Sequence, residues 1–299
     1  MAADITAKVE NCETCQAFVN KHQKETMLSH PIPSRPWEIV SQDLMSHKGK
    51  EYLVTVDHYS DMWLMDEMQS TSAHEIVTAT KKHFALHGIC DIFNSDNGPQ
   101  YVSEEFVIFA KEYEFEHNTS SPYRPKGNGK AESAVKIATK LLKKTLKEGS
   151  DFHLAVLDWR NTPDTNGNSP GQKLLQRRTR NLMPNTEAQL EPHVVQDVSE
   201  NILHRKRQSK KEYDAHAKDL PQLVIGRPVK VQTNSKTNPW VDATCKAKVG
   251  PRSYLVETPD HRVYRRNRAA LRAAITNKRT KQISKRNRTS IAKRNSERA

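Results

Sequence analysis

The stretch NSDNGPQYVSEEF (94–106) decides how this chain is read. It continues the apolar run ICDIF (89–93), so a short buried strand over 89–96 delivers Asp96 straight into a DNG turn. A helix is expected over SEEFVIFAKEY (103–113), with Glu104 and Glu105 in its first turn where they complement the helix dipole.

Upstream, WEIVSQDLM (37–45) alternates apolar and polar residues and carries Asp43 near its end. EYLVTVDHY (51–59) and MWLMDEM (62–68) follow after short turns such as SHKGK (46–50), so the three segments read as an antiparallel meander. SAHEIVTATKKHFALHG (72–88) predicts a helix capped by Ser72 and stopped at Gly88, with Ile76, Val77, Thr80, Phe84 and His87 at helical spacing. Downstream, FEHNTSS (115–121) reads as a fifth strand and YRPKGNGK (123–130) as a loop. A helix is then expected from Lys130 to about Lys147, with Ala134, Ile137, Ala138, Leu141, Leu142 and Leu146 as its apolar stripe. Glu132 falls in its first turn, and Lys136 and Lys140 follow at i+4 and i+8 on the same face. FHLAVLDWRNTP (152–163) reads as another helix. This order predicts an α/β fold, an RNase H-like mixed five-stranded sheet flanked by helices. In it Asp43 would lie beside Asp96, and the helix bearing Glu132 would cross the same edge.

Singly, these acids have ordinary readings: a strand-end Asp is commonly a solvated turn residue, and a first-turn Glu a dipole partner. Together they suggest a metal site. Asp96 and Glu132 are separated by 35 residues, and three converging carboxylates repel one another unless cations join them. Two divalent ions about 3.5–4 Å apart suit in-line phosphoryl displacement. Hard oxygen ligands favour magnesium or manganese. On this reading Asp43 bridges two ions, Asp96 and Glu132 complete one shell each, and water or a DNA 3′-hydroxyl is the nucleophile.

The 299 residues carry a formal net charge of +13, with 35% hydrophobic residues. That balance suits a polyanion binder. No apolar run approaches the roughly 18 residues that span a bilayer, and MAADITAKVENC (1–12) has no apolar core for a signal peptide. Four scattered cysteines, Cys12, Cys15, Cys90 and Cys245, make no disulfide framework, so a reducing intracellular compartment is expected. HVVQDVSENILHRKRQSKKEYDAHAKD (193–219) predicts a basic connecting helix, and the short strands of 223–272 a small β domain. Residues 277–299 hold nine Lys or Arg against one Glu and read as a disordered basic tail.

SDNGPQYVSEEF, SPYRPKGNGKAE (121–132), DWRNTP (158–163) and NSPGQKLLQRRTR (168–180) resemble integrases of gypsy-type LTR retrotransposons and retroviruses. The resemblance covers roughly residues 10–272, and RSYLVET (252–258) with YRRNR (264–268) looks like the C-terminal β-barrel of such proteins. It implies a DDE polynucleotidyl transferase that trims the 3′ ends of element DNA and joins them to target DNA in the nucleus, as a homo-oligomer on DNA and with no membrane partner. Asp43, Asp96 and Glu132 would be the catalytic metal ligands. Tyr123 and Asn128 match loop positions before the glutamate, and Lys136 matches a position that contacts the DNA end. Lys126, Lys130 and Lys140 add positive charge beside it, and Arg265 and Arg266 are expected DNA contacts in the β domain.

The resemblance also implies a His-His-Cys-Cys zinc module, of which only Cys12 and Cys15 match, as its second half. His22 and His30 follow the cysteines, the reverse of the family order, and zinc is not expected in this chain. The implied organisation is a zinc-module remnant and linker at 1–35, an RNase H-like catalytic core at 36–190, a basic helical connector at 191–221, a small β-barrel at 222–273 and a basic tail at 274–299. The rival reading is a nuclease-only or non-catalytic DNA-binding protein descended from an integrase.

Overall fold

The structure is a computed structural model. It describes residues 4–5, 8–9, 12, 15, 24–28, 31–119, 128–233 and 240–274. The chain divides into two compact units, Thr26–Ala217 and a second formed by Met1–Glu25 with Lys218–Ala299.

In the first unit, β1 (Ile39–His47), β2 (Lys50–Asp57) and β3 (Trp63–Met68) form the expected antiparallel meander. Helix α1 (Ala73–His87) leads to β4 (Ile92–Ser95), and α2 (Glu104–Glu112) leads to β5 (Glu116–Thr119). Both β4 and β5 join the sheet in parallel, which gives the order β3-β2-β1-β4-β5. This is the RNase H-like mixed sheet read from the sequence. Ser72 and Ser103 cap α1 and α2 by accepting N–H groups from Glu75 and Phe106.

Strand alternation feeds a separate core on each face of the sheet. Val40, Leu53 and Phe93 pack with Ile76, Phe84, Phe106 and Phe109 under α1 and α2. Met45, Val54, Val56 and Trp63 pack under α3 (Gly129–Glu148) and α4 (Phe152–Asn161). Helix α3 meets the sheet through Ala131, Ala134 and Ala138, small side chains that let its backbone lie close. Its inner face is narrower than expected. Ile137 and Leu146 are exposed, whereas Ala131 and Thr145 are buried.

The segment after α4 forms two short helices that the sequence reading did not anticipate, α5 (Pro170–Leu175) and α6 (Glu187–Leu190). Helix α7 (Val198–Asp214), read as a connector, is grouped with this first unit. Val198 and Ile202 are buried, and Ser199 Oγ and Lys206 Nζ donate to the carbonyls of Pro33 (2.7 Å) and Pro31 (3.0 Å).

The second unit holds β6 (Pro228–Val231), β7 (Val241–Gly250), β8 (Ser253–Glu257), β9 (Val263–Asn267) and β10 (Leu271–Ala273) in the order β10-β6-β7-β8-β9. The two edge strands β9 and β10 are joined only by the 3-10 turn Arg268–Ala270. A flat five-stranded sheet would hold its edges about 19 Å apart, whereas three residues reach only about 10 Å. The sheet therefore curls into the small barrel, helped by bulges between Cys245 and Ala247 and between Lys248 and Gly250. Trp240 and Tyr254 are buried, and Tyr264 packs against the core formed by Val229, Val231, Cys245, Val256 and Leu271.

Candidate active site

Strand register brings the first two acids together. β1 and β4 run parallel with Ile39 opposite Ile92, Val40 opposite Phe93 and Ser41 opposite Asn94. Continued two residues, that register would bring Asp43 level with Asp96, just past the end of β4. By alternation Asp43 shares the face of Met45, which lies under α3. The intervening Gln42 points to the other face and is fully buried. Its amide nitrogen donates to Thr55 Oγ1 (2.8 Å) and Thr80 Oγ1 (3.1 Å), and its Oε1 accepts from Tyr101 Oη (3.0 Å). Thus the residue beside Asp43 locks β1 to β2, α1 and the turn after β4.

Asp96 leaves the end of β4 and turns back on itself, its Oδ1 accepting the Gly98 N–H at 3.0 Å. Its carbonyl accepts from Ser95 Oγ at 2.8 Å. Ser95 has a single hydroxyl proton, so its 2.9 Å contact with His117 Nε2 requires the imidazole to donate. Burial holds His117 down at about 4, so a neutral Nε2–H tautomer fits this role.

The third acid arrives on α3. Asn128, at the start of that helix, is buried and donates from Nδ2 to the Gln42 carbonyl at 2.9 Å. This pins the helix start to the residue preceding Asp43 and carries Glu132, four residues later, to the same end of the sheet. The effect is visible in Asp43, whose carboxyl is pushed up to about 6. Burial is the main cause, the charges of Asp96 and then Glu132 add to it, and the Leu44 N–H opposes it. Tyr101 is also raised, by burial and by the charges of Asp96 and Asp43.

These acids offer oxygen donors only, and the mutual repulsion at Asp43 is what a bound cation would relieve. The donor set fits magnesium or manganese. Among the described residues no three His, Cys, Asp or Glu side chains are gathered to hold one ion.

The other candidates separate. Lys136 and Lys140 are exposed on α3, free to meet a polyanion. Lys130 is instead ion-paired with Asp61. Asn128 is buried, its amide tied to the Gln42 carbonyl. Arg266, an expected DNA contact, is also engaged within the protein. It is buried, stacks 4.9 Å from the Tyr264 ring, and donates to the carbonyls of Gln232 (3.1 Å), Thr233 (2.9 Å) and Arg265 (2.9 Å). Arg265 donates to Ser253 Oγ at 3.1 Å. The Cys15 N–H donates to Cys12 Sγ at 3.5 Å, and neither cysteine forms a disulfide. Tyr123, Lys126, His22 and His30 lie outside the described residues. Sequence reasoning missed Gln42, Tyr101, Ser95 and His117, whose roles depend on partners distant in sequence. It also missed Asp61, which is ion-paired with Lys130, Arg205 (3.4 Å) and Lys173 (3.7 Å). Among the described residues no helix is long and apolar enough to cross a membrane.

Comparison with known proteins agrees with this geometry. Residues 33–125 match the family described as integrase core domain. The Caenorhabditis elegans protein K02A2.6 is 27% identical over 270 residues, covering 86% of this chain and 21% of that protein. The Gag-Pro-Pol polyprotein of human T-cell leukemia virus 2 is 28% identical over 144 residues, 46% of this chain and 10% of the polyprotein. The chain thus spans at most about a fifth of these relatives' length. Among solved structures, a chain of the simian T-cell lymphotropic virus intasome in complex with the PP2A regulatory subunit B56 gamma aligns with a TM-score of 0.60. It is 16% identical and covers 92% of each chain, a likeness of fold.

Proposed function

We propose that this chain, whose residues 33–125 match the integrase core domain family, is a retroelement DNA integrase, trimming the 3′ ends of element DNA and joining them to target DNA in the nucleus. One observation carries the proposal: within a stretch matching the integrase core domain, Asp43 on β1 and Asp96 just past β4 lie at the end of the sheet to which the buried Asn128–Gln42 tie brings the first turn of α3 and Glu132, near enough for both other charges to raise the Asp43 carboxyl.

Asp43, Asp96 and Glu132 would hold two magnesium or manganese ions. When bound, such ions activate an attacking oxygen and stabilise a leaving one. The protein's own residues supply position and charge. Asp43 feels the charges of both other acids, on a strand tied to its neighbours by Gln42. The Asp96 carboxylate is oriented by the Gly98 N–H, and its carbonyl is fixed by Ser95. Lys136 and Lys140, one and two turns beyond Glu132, neutralise phosphates of the DNA end and keep it along α3. The chain works as a homo-oligomer that brings two DNA ends to one target.

A strand-transfer assay with magnesium or manganese, comparing the full chain with Asp96→Asn, tests this reading. Joined products from the wild type alone support it. Nicking without joining would reduce the protein to a nuclease, and DNA binding with neither activity would make it a non-catalytic derivative. Wild-type activity in Asp96→Asn would remove the site assignment altogether.

A further inference from the structure

We propose that Asp61 is a positioning residue for Glu132, acting through Lys130 to set the rotation of the first turn of α3. The inference rests on the reading of Glu132 as a metal ligand and extends it to a residue with no direct access to that metal.

Asp61 sits in the turn between β2 and β3 with φ at 66°, its N–H donating to the Asp57 carbonyl at 3.2 Å. That turn is rigid. The buried Asp57 carboxylate accepts N–H groups from Trp37 (3.0 Å), Tyr59 (3.2 Å) and Ser60 (2.9 Å) and the Ser60 hydroxyl (2.6 Å). From this platform Asp61 receives one cation from each of three helices: Lys130 of α3, Lys173 of α5 and Arg205 of α7. Lys173 is buried and shared with Asp164 at 2.7 Å. Lys130 and Asp61 are 28% and 29% exposed, so their pair is better shielded from solvent than an ordinary surface ion pair.

The consequence for Glu132 is geometric. The Asn128 side chain makes no capping bond to α3 but ties the helix start to the Gln42 carbonyl, and buried Ala131 seats the first turn on the sheet. Lys130 adds an ionic tie on the side of the β2–β3 turn. Two residues along an α-helix turn the side-chain direction by about 200°. Holding Lys130 toward the β2–β3 turn therefore drives Glu132 to the opposite side, toward Asp43 and Asp96.

The test is manganese binding to the full chain by isothermal titration calorimetry, without DNA, so that any phosphate contact by Lys130 plays no part. Asp61→Asn would also strand the buried Lys173. Lys130→Met leaves Asp61 with Lys173 and Arg205 and carries the test. It is expected to weaken manganese affinity about tenfold, the lower end for loss of a supporting partner behind a ligand. Lys130→Arg keeps the charge and restores binding, and Arg205→Gln, which leaves the Lys130 pair intact, binds as wild type. Loss of manganese binding in Glu132→Gln with wild-type binding in Lys130→Met overturns the positioning role and leaves the proposed function standing. Wild-type binding in Glu132→Gln overturns the metal-ligand reading itself. An equal loss in Lys130→Arg and Lys130→Met would also count against an ionic tether.

Discussion

Replacing Asp43 by Asn should make the metal-free protein more stable, and the sign follows from the site. The carboxyl is raised from 3.8 to about 6. Two units correspond to about 3 kcal/mol, at 1.36 kcal/mol per unit. Asp43 is only partly buried, and solvent screening reduces the usable figure to about 1–2 kcal/mol. Below pH 3.8 the group is protonated in both folded and unfolded chains and costs nothing extra. As pH rises through the interval to about 6, the unfolded chain releases its proton first and folding stability falls. Above that the full cost persists. Asn keeps the shape and an acceptor for the Leu44 N–H, now 3.0 Å from Asp43 Oδ1, but carries no charge. At pH 7.5 without divalent metal, Asp43→Asn should melt roughly 2–8 °C above wild type, using about 2–4 °C per kcal/mol for a domain of this size.

Differential scanning fluorimetry at pH 4.5 and 7.5, with and without magnesium, reads this directly. The advantage of the variant should shrink at the lower pH. Magnesium should raise the wild-type midpoint by binding the folded state and leave Asp43→Asn nearly unmoved. A variant less stable than wild type at pH 7.5 would mean that Asp43 holds the fold together, and would refute the argument that its ionisation is a burden. An equal magnesium shift in both proteins would locate the cation elsewhere.

Further outcomes follow from other parts of the molecule. Lys136→Ala should weaken DNA binding and lower the slope of log affinity against log salt by about one, since one phosphate contact is lost. An unchanged slope in fluorescence anisotropy would make Lys136 a bystander. Arg266→Ala should cost about 2–4 kcal/mol in chemical denaturation, because buried carbonyls of Gln232 and Thr233 lose charged donors. Its salt slope for DNA should stay at the wild-type value. Phe106→Ala should cost about 3–5 kcal/mol, as the ring is fully buried against Phe93, Phe109 and Tyr101. A loss under 1 kcal/mol, measured by urea unfolding, would show that this core collapses around the gap.

The parts legible in the sequence were those with local periodicity or obligatory chemistry. β1 to β3 alternate, α1 announces itself by Ser72 and α2 by Glu104 and Glu105, and the three acids stand out as oxygen donors of the kind a divalent cation takes. The hidden parts depend on partners far along the chain. Asp61 looks like any turn aspartate until Arg205, 144 residues away, reaches it. Asn128 looks like a loop residue until its amide meets the Gln42 carbonyl 86 residues back. The exposure of Ile137 and Leu146 was misread for a related reason. Helical spacing marks a stripe of apolar residues, but the width of the covering surface decides how much of it is buried. Barrel closure, too, is written in the shortness of Arg268–Ala270, which matters only once β9 and β10 are known to be opposite edges.

The arrangement around β1 shows how the fold tolerates a destabilising site. Successive residues on one strand are given opposite tasks. Ser41 is buried against His58 Nε2 at 2.6 Å, Gln42 ties β1 to β2, α1 and Tyr101, and Asp43 projects from the other side as a burdened acid. Because successive residues face opposite sides of a sheet, the Gln42 network lies on the face away from Asp43, while Ser41 shares Asp43's face and is satisfied by His58. A change in the ionic state of Asp43 therefore alters the energy of the site without releasing the strand. The same separation holds on α3, where Ala131, Ala134 and Ala138 seat the helix while Glu132, Lys136 and Lys140 occupy other faces. Removing the charge at Asp43 should therefore relieve the site while leaving the two-sided core intact, which is why the expected outcome is a protein that is more stable and inactive.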